Sequence, residues 1–195
     1  MFYCLMFCGL FAAPVAWAEE QVAVFAGGCF WGVAAVFKHV KGVHKVESGY
    51  AGGSAATARY EQVSGGNTGH AEAVRVRFNP TQISYSQLLE VFFNVAHDPT
   101  QLNRQGPDTG SQYRSAIFYT SSEQQVLAQK MMGQITSAKA FNAPVVTQVV
   151  PLQQFYVAEA YHQDYLARHP YQLYIVINDQ PKIEQLRKLF PAIYQ

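Results

Sequence analysis

Apolar and polar positions along this chain switch between two periods, and the switches mark its elements. Val22-Ala23-Val24-Phe25-Ala26 is a short continuous apolar run, the pattern of a buried strand. Gly27 and Gly28 break it, and the apolar stretch Val33 to Phe37 predicts a buried helix from Cys29 to about His39. Val43 to Tyr50 predicts a second strand, closing in the turn-rich Ser48-Gly49-Tyr50-Ala51-Gly52-Gly53. After a Gly-rich loop over Ser64 to His70, the stretch Glu72 to Phe78 alternates cleanly. Glu72, Val74, Val76 and Phe78 share one face, Ala73, Arg75 and Arg77 the other.

Ser84-x-x-Gln87 reads as a capping box that opens a helix through about Val95. Ser122-x-x-Gln125 opens another, with Leu127, Met131 and Ile135 along one face. Between these helices, His97 to Ser111 is rich in Pro, Gly, Asp and Asn, and loops of that length in compact domains are usually functional or disordered. Arg114 to Thr120 and Val145 to Val150 predict two more strands, and Glu159 to Ala167 a short helix stopped by His169-Pro170. Strands alternating with helices predict an α/β (α+β) fold, a sheet with helices packed on it.

Composition narrows the class. A length of 195 residues suits one domain with a core that needs no disulfide or metal staple. Fourteen Lys and Arg against thirteen Asp and Glu give a net charge of +1 without a basic stripe, which argues against nucleic acid as a partner. Met1 to Ala18 carries no charged side chain and ends in Ala16-Trp17-Ala18, a small-x-small pattern that predicts a signal peptide over 1–18 and a single mature domain over 19–195. The expected location is then outside the cytoplasm, in the periplasm. Cys4 and Cys8 fall within that segment, which leaves Cys29 as the lone cysteine of the mature chain. A membrane anchor is the competing reading of the same run, which sits at the lower length limit for a span.

A lone exported cysteine points to chemistry rather than to a structural bridge. Placed between a strand and a helix N-terminus, Cys29 is expected to have a lowered pKa and to act as a nucleophile. Phe30 and Trp31 beside it would wall an apolar pocket, and Gly32 suggests that another group packs closely against the first helical turn. Glu72, on the apolar face of its strand, should have a raised pKa and hold a proton at neutral pH. Tyr50 and Tyr113 offer neutral phenolic donors suited to an oxygen that gains negative charge, and Asp108 could orient a hydroxyl or a water. His97 and His162 are the two candidates for a base, which would instead make Cys29 a hydrolase nucleophile. No Cys-x-x-Cys or His-Glu-x-x-His occurs, so no metal is expected.

Four segments together carry a resemblance: Gly28-Cys29-Phe30-Trp31-Gly32, Ser48-Gly49-Tyr50-Ala51-Gly52-Gly53, Gly69-His70-Ala71-Glu72-Ala73-Val74, and Asp108-x-Gly110-x-Gln112-Tyr113-Arg114-Ser115. In this order they are similar to the class A peptide methionine sulfoxide reductases, from about Val22 to about Arg168. The resemblance implies a two-layer sandwich around a mixed sheet, ferredoxin-like in arrangement. It implies Cys29 as nucleophile, Phe30 and Trp31 as the wall for the substrate methyl, Glu72, Tyr50 and Tyr113 on the sulfoxide oxygen, and Asp108 in support. It further implies the S epimer as substrate, free or in oxidised proteins, and a sulfenic acid on Cys29. Many relatives resolve that acid with C-terminal cysteines, whereas Pro170 to Gln195 contains none. The expected reductant is therefore external: glutathione, a glutaredoxin or a thioredoxin-like protein, with no bound cofactor and a monomeric chain. A one-cysteine peroxide scavenger and a non-catalytic module binding Met-containing peptides are the alternatives in other classes.

Overall fold

The computed structural model describes residues 19–195. The expected signal segment, with Cys4 and Cys8, lies outside the described residues. The buried run forms β1 (Gln21–Gly27), followed by α1 (Phe30–Lys38), β2 (Val43–Ala51), a one-turn α2 (Tyr60–Val63) and β3 (Ala71–Phe78). Next come α3 (Tyr85–Val91), continued as a π turn over Phe92–Ala96, and a small ribbon of β4 (Arg104–Gln105) and β5 (Asp108–Thr109). The chain finishes through β6 (Ser115–Tyr119), α4 (Ser122–Ser137), β7 (Gln148–Pro151), β8 (Phe155–Val157), α5 (Tyr165–Arg168), a π turn over Ile175–Asp179, and α6 (Gln180–Leu189). The main sheet runs β7-β6-β1-β3-β2-β8. It is mixed: β6 and β7 are parallel, and the other neighbours antiparallel.

The predicted alternation of β3 sets the two faces. Val74, Val76 and Phe78 join the main core with Phe25, Phe30, Phe37 and Phe92, whereas Ala71 and Ala73 join a smaller cluster with Val24, Ala26, Ala116 and Phe118. Phe25 is the hub of the main core, stacked on Phe37 at 5.1 Å and on Phe92 at 4.9 Å between centroids. Each such ring, taken fully out of water, contributes about 1.5–3 kcal/mol. In register, Tyr50 pairs with Glu72 across β2 and β3, so both side chains project from neighbouring points of one face.

Several expectations shift. The second helix cap is Ser121, whose hydroxyl accepts from the Gln124 N–H, one residue before the expected Ser122. The expected helix over Glu159 to Ala167 is a 3-10 turn at Ala160–His162 and then α5, split by Asp164 in the left-handed region at φ 54°. The expected loop His97 to Ser111 contains the β4–β5 ribbon. β8 and all of the helical tail beyond Tyr174 lie where the pattern predicts no element. No helix among the described residues is long and apolar enough to cross a membrane.

Candidate active site

Cys29 occupies the N-cap of α1, as the strand-to-helix turn predicts. Gly28 makes the turn at φ 91°, and a Cβ there would stand 2.5 Å from the Gln105 side chain, so both conformation and space require glycine. Glu72 reaches the same end of the helix from β3. It is 2% exposed, and its Oε2 accepts the Phe30 N–H at 3.0 Å. Burial pushes its carboxyl up to about 8, which leaves it protonated at neutral pH, as expected from its place on the apolar face.

The thiol itself corrects an expectation. Cys29 keeps partial exposure to solvent, yet its pKa lies well above the usual thiol value rather than below it. Desolvation is the main cause, the nearby acidic groups Glu72, Asp179 and Asp108 add to it, and the Trp31 N–H opposes them. The helix end helps the thiolate less than the sequence suggests because Glu72 already takes up the Phe30 N–H and acidic groups surround the sulfur.

Phe30 is 1% exposed, with its ring between Tyr50 (5.9 Å) and His162 (5.0 Å). Trp31 remains partly exposed, stacked on Tyr165 of α5 at 3.8 Å and 6°, with Tyr174 edge-on at 6.1 Å. Its Nε1 donates to His162 Nδ1 at 3.1 Å. An indole N–H can only donate, so His162 carries its proton on Nε2. That nitrogen is buried and has no partner.

Tyr50 is brought to the site but its hydroxyl is spoken for. It is fully buried and donates at 2.8 Å to Glu159 Oε2, while Glu159 Oε1 accepts the Tyr60 N–H at 3.0 Å. The free phenol on this side is Tyr60, which the sequence reading missed. Burial raises its pKa, and the acidic groups Glu72 and Cys29 raise it further, a sign of their nearness. Tyr113 has the same signature, with Glu72, Asp108 and Cys29 all raising it after burial. Asp108 orients a phenol as expected, but the phenol is that of Tyr174, whose hydroxyl donates to Asp108 Oδ2.

Neither candidate base bonds to Cys29. His97 is buried in a structural chain: Nδ1 donates to the Phe92 carbonyl at 3.0 Å, and Nε2 accepts from Ser115 Oγ at 2.6 Å. Ser115 Oγ in turn accepts from Thr147 Oγ1 at 2.7 Å. Burial lowers the His97 pKa to about 4. His162 serves Trp31, so the cysteine-hydrolase reading loses its base. Among the described residues no three His, Cys, Asp or Glu side chains converge as metal ligands.

Tyr60, Tyr174 and Asp179 share a reason for escaping notice: none lies on a periodic apolar face. Pro181 does carry a readable signal, a proline inside a helical segment, which removes a backbone donor and here follows the π turn.

The one thiol among the described residues, set beside a protonated carboxyl and two phenols on a mixed α/β sheet, is the arrangement of a thiol oxidoreductase that handles a polar oxygen. The chain belongs to the peptide methionine sulfoxide reductase family, whose sequence profile matches residues 21–193. It is 53% identical over 175 residues to peptide methionine sulfoxide reductase MsrA 2 of Mesorhizobium japonicum, covering 90% of each protein. Among solved structures it is similar to reduced Mxr1 of Saccharomyces cerevisiae, with 33% identity and a TM-score of 0.74 over 80% of this chain and 88% of that one. Mxr1 in complex with Trx2 shares the fold at 22% identity and a TM-score of 0.53, over 81% of this chain and 91% of that one. The expected enzyme class and fold class are borne out.

Proposed function

We propose that this methionine sulfoxide reductase acts on the S epimer, in free or protein-bound methionine, through Cys29 and a sulfenic acid that an external thiol removes. The observation that carries the reading is a buried, protonated Glu72 held on the N–H of Phe30, the residue next to Cys29 at the first turn of α1, and close enough to act on the thiol. As the Cys29 sulfur loses its proton it attacks the sulfoxide sulfur, and Glu72 gives its own proton to the oxygen. The proton released from the thiol returns Glu72 to its acid form, and Tyr60 and Tyr113 donate to the same oxygen as charge develops on it. Tyr60 takes the role expected of Tyr50. Tyr50 acts one step back, holding Glu159, which in turn anchors the Tyr60 backbone. Trp31, fixed by His162 and Tyr165, presents the apolar face that receives the methyl group. Phe30 supports it from the core.

In net terms the substrate sulfur gains two electrons, and the oxygen leaves with Cys29 as Cys–SOH. One external thiol then forms a mixed disulfide with loss of water. A second restores the Cys29 thiol and departs as a disulfide. Residues 30–195 contain no cysteine, so this part of the chain has no resolving thiol of its own. A thioredoxin-type reductant is supported by the existence of Mxr1 in complex with Trx2. Export to the periplasm, resting on residues 1–18, is part of the same proposal.

The test is single-turnover reduction of each sulfoxide epimer followed by trapping with dimedone. Cys29→Ser should abolish both methionine formation and the trapped adduct. Turnover by that variant would remove Cys29 from its role, and peroxide consumption faster than sulfoxide reduction would favour the scavenger reading.

A further inference from the structure

The helical tail brings a second buried carboxyl to Cys29, and ordinary structural roles do not account for it. Asp179 closes the π turn that runs straight on into α6, and its carboxyl makes no hydrogen bond to the first turn of that helix. The side chain lies instead against the first turn of α1: a Cβ on Gly32 would stand 2.0 Å from Asp179 Oδ1. Asp179 is completely buried, and its Oδ2 has no hydrogen-bond partner. Its one ion pair, Oδ1 to Lys182 Nζ, is long at 3.4 Å. A buried carboxyl left half satisfied is costly, and such exceptions concentrate at working sites. Gly32 has the close neighbour that its sequence position suggested.

We infer that Asp179 restrains the reactivity of this site: its carboxylate, seated on the first turn of α1, holds the resting Cys29 sulfur back from oxidation by hydrogen peroxide. The inference rests on Cys29 as the reacting thiol. Negative charge at this seat opposes the partial positive charge of the helix end, which would otherwise favour a thiolate. Asp179 is indeed one of the charges that raise the Cys29 thiol. Peroxide oxidation needs the thiolate: sulfur attacks one peroxide oxygen, the O–O bond breaks, and the departing hydroxide takes a proton to become water. A second equivalent of peroxide carries the sulfenic acid on to sulfinic acid, which thiols do not reverse. A cysteine without a resolving partner in its own domain is open to that loss while it waits for an external thiol.

The charged and titratable groups around Asp179 are few. Lys182 lowers it from its own helix, Asp108 raises it from β5, and Cys29 and Tyr174 both feel its charge. Lys182 also acts on His97. With burial as the largest influence, the Asp179 carboxyl sits near 6, so it is ionised in the resting enzyme at neutral pH.

The experiment is the pH dependence of Cys29 alkylation by iodoacetamide, with the rate of inactivation by hydrogen peroxide measured beside it. In Asp179→Asn both rates at pH 7 should rise, by about tenfold for each unit by which the thiol pKa falls. Unchanged or slower rates would overturn the inference. The unmodified protein supplies a second reading that needs no variant to fold. Its alkylation rate should rise less steeply with pH around 6, as Asp179 ionises, than below it. A uniform slope between pH 5 and 7 would overturn the inference. Both readings are independent of sulfoxide turnover, so loss of the sulfoxide assignment through Cys29→Ser would show itself separately.

Discussion

Tyr50 and Tyr60 show how a site is divided between residues of one type. Sequence position favours Tyr50, which stands in a Gly-rich turn opposite Glu72. The geometry commits its hydroxyl to Glu159 and leaves the Tyr60 phenol free near Glu72 and Cys29. The two phenylalanine variants should therefore differ in kind. Tyr60→Phe removes a donor to the developing oxyanion and should lower kcat about 10²-fold, with little change in stability. Tyr50→Phe breaks a bond to a carboxylate kept ionised in part by that bond, and should cost about 1.5–3 kcal/mol in urea unfolding with a smaller loss of kcat. Steady-state kinetics and equilibrium unfolding on the same two proteins separate these outcomes. The residues legible beforehand were those whose chemistry conflicts with their surroundings, such as a carboxyl on an apolar strand face or a cysteine between glycine and an aromatic pair. A tyrosine conflicts with nothing, so its role waits for coordinates.

Elements were readable where one face is buried against a regular neighbour. β1, β2, β3 and α1 lie within one or two residues of their expected spans because alternation or a continuous apolar run defines them. The capping box at Ser84 is present in full, with Ser84 Oγ accepting from Gln87 N–H and Gln87 Oε1 accepting from Ser84 N–H. At α4 the neighbouring Ser121 and Ser122 offer two overlapping cap patterns, and the structure uses the first. Ser121→Ala should thus lower stability by about 1 kcal/mol and Ser122→Ala by only a few tenths, measured as shifts in the denaturant midpoint. The tail was opaque for a different reason. Leu173 and Ile177 are exposed while Ile175 and Asp179 are buried, so no helical stripe of apolar residues announces the segment.

At the scale of the whole molecule, the buried ionisable groups pull stability in opposite directions with pH. Glu72, near 8 in the fold against 4.5 when unperturbed, binds a proton that the unfolded chain releases. Its contribution to stability is therefore present at low pH and lost as pH rises through 8. His97, near 4 against 6.5, stays neutral where the unfolded chain takes a proton, so stability is lost as pH falls from 6.5 toward 4. Relative to Glu72→Gln, the unmodified protein should lose unfolding free energy between pH 5 and 8, and parallel curves for the two would contradict the assignment. Sulfoxide reduction should also fall off above about pH 8 as Glu72 loses its proton, a limb absent from the Gln variant. The stack of Trp31 on Tyr165 ties the catalytic turn to a helix more than a hundred residues away in sequence. The chain has only two tryptophans, and Trp17 lies in the segment expected to be removed on export. In a chain so processed, the intrinsic fluorescence comes from a single indole at the mouth of the site. The optical signal used to follow unfolding is then a local one, and it reports departure of the tail from Trp31 before it reports loss of the sheet.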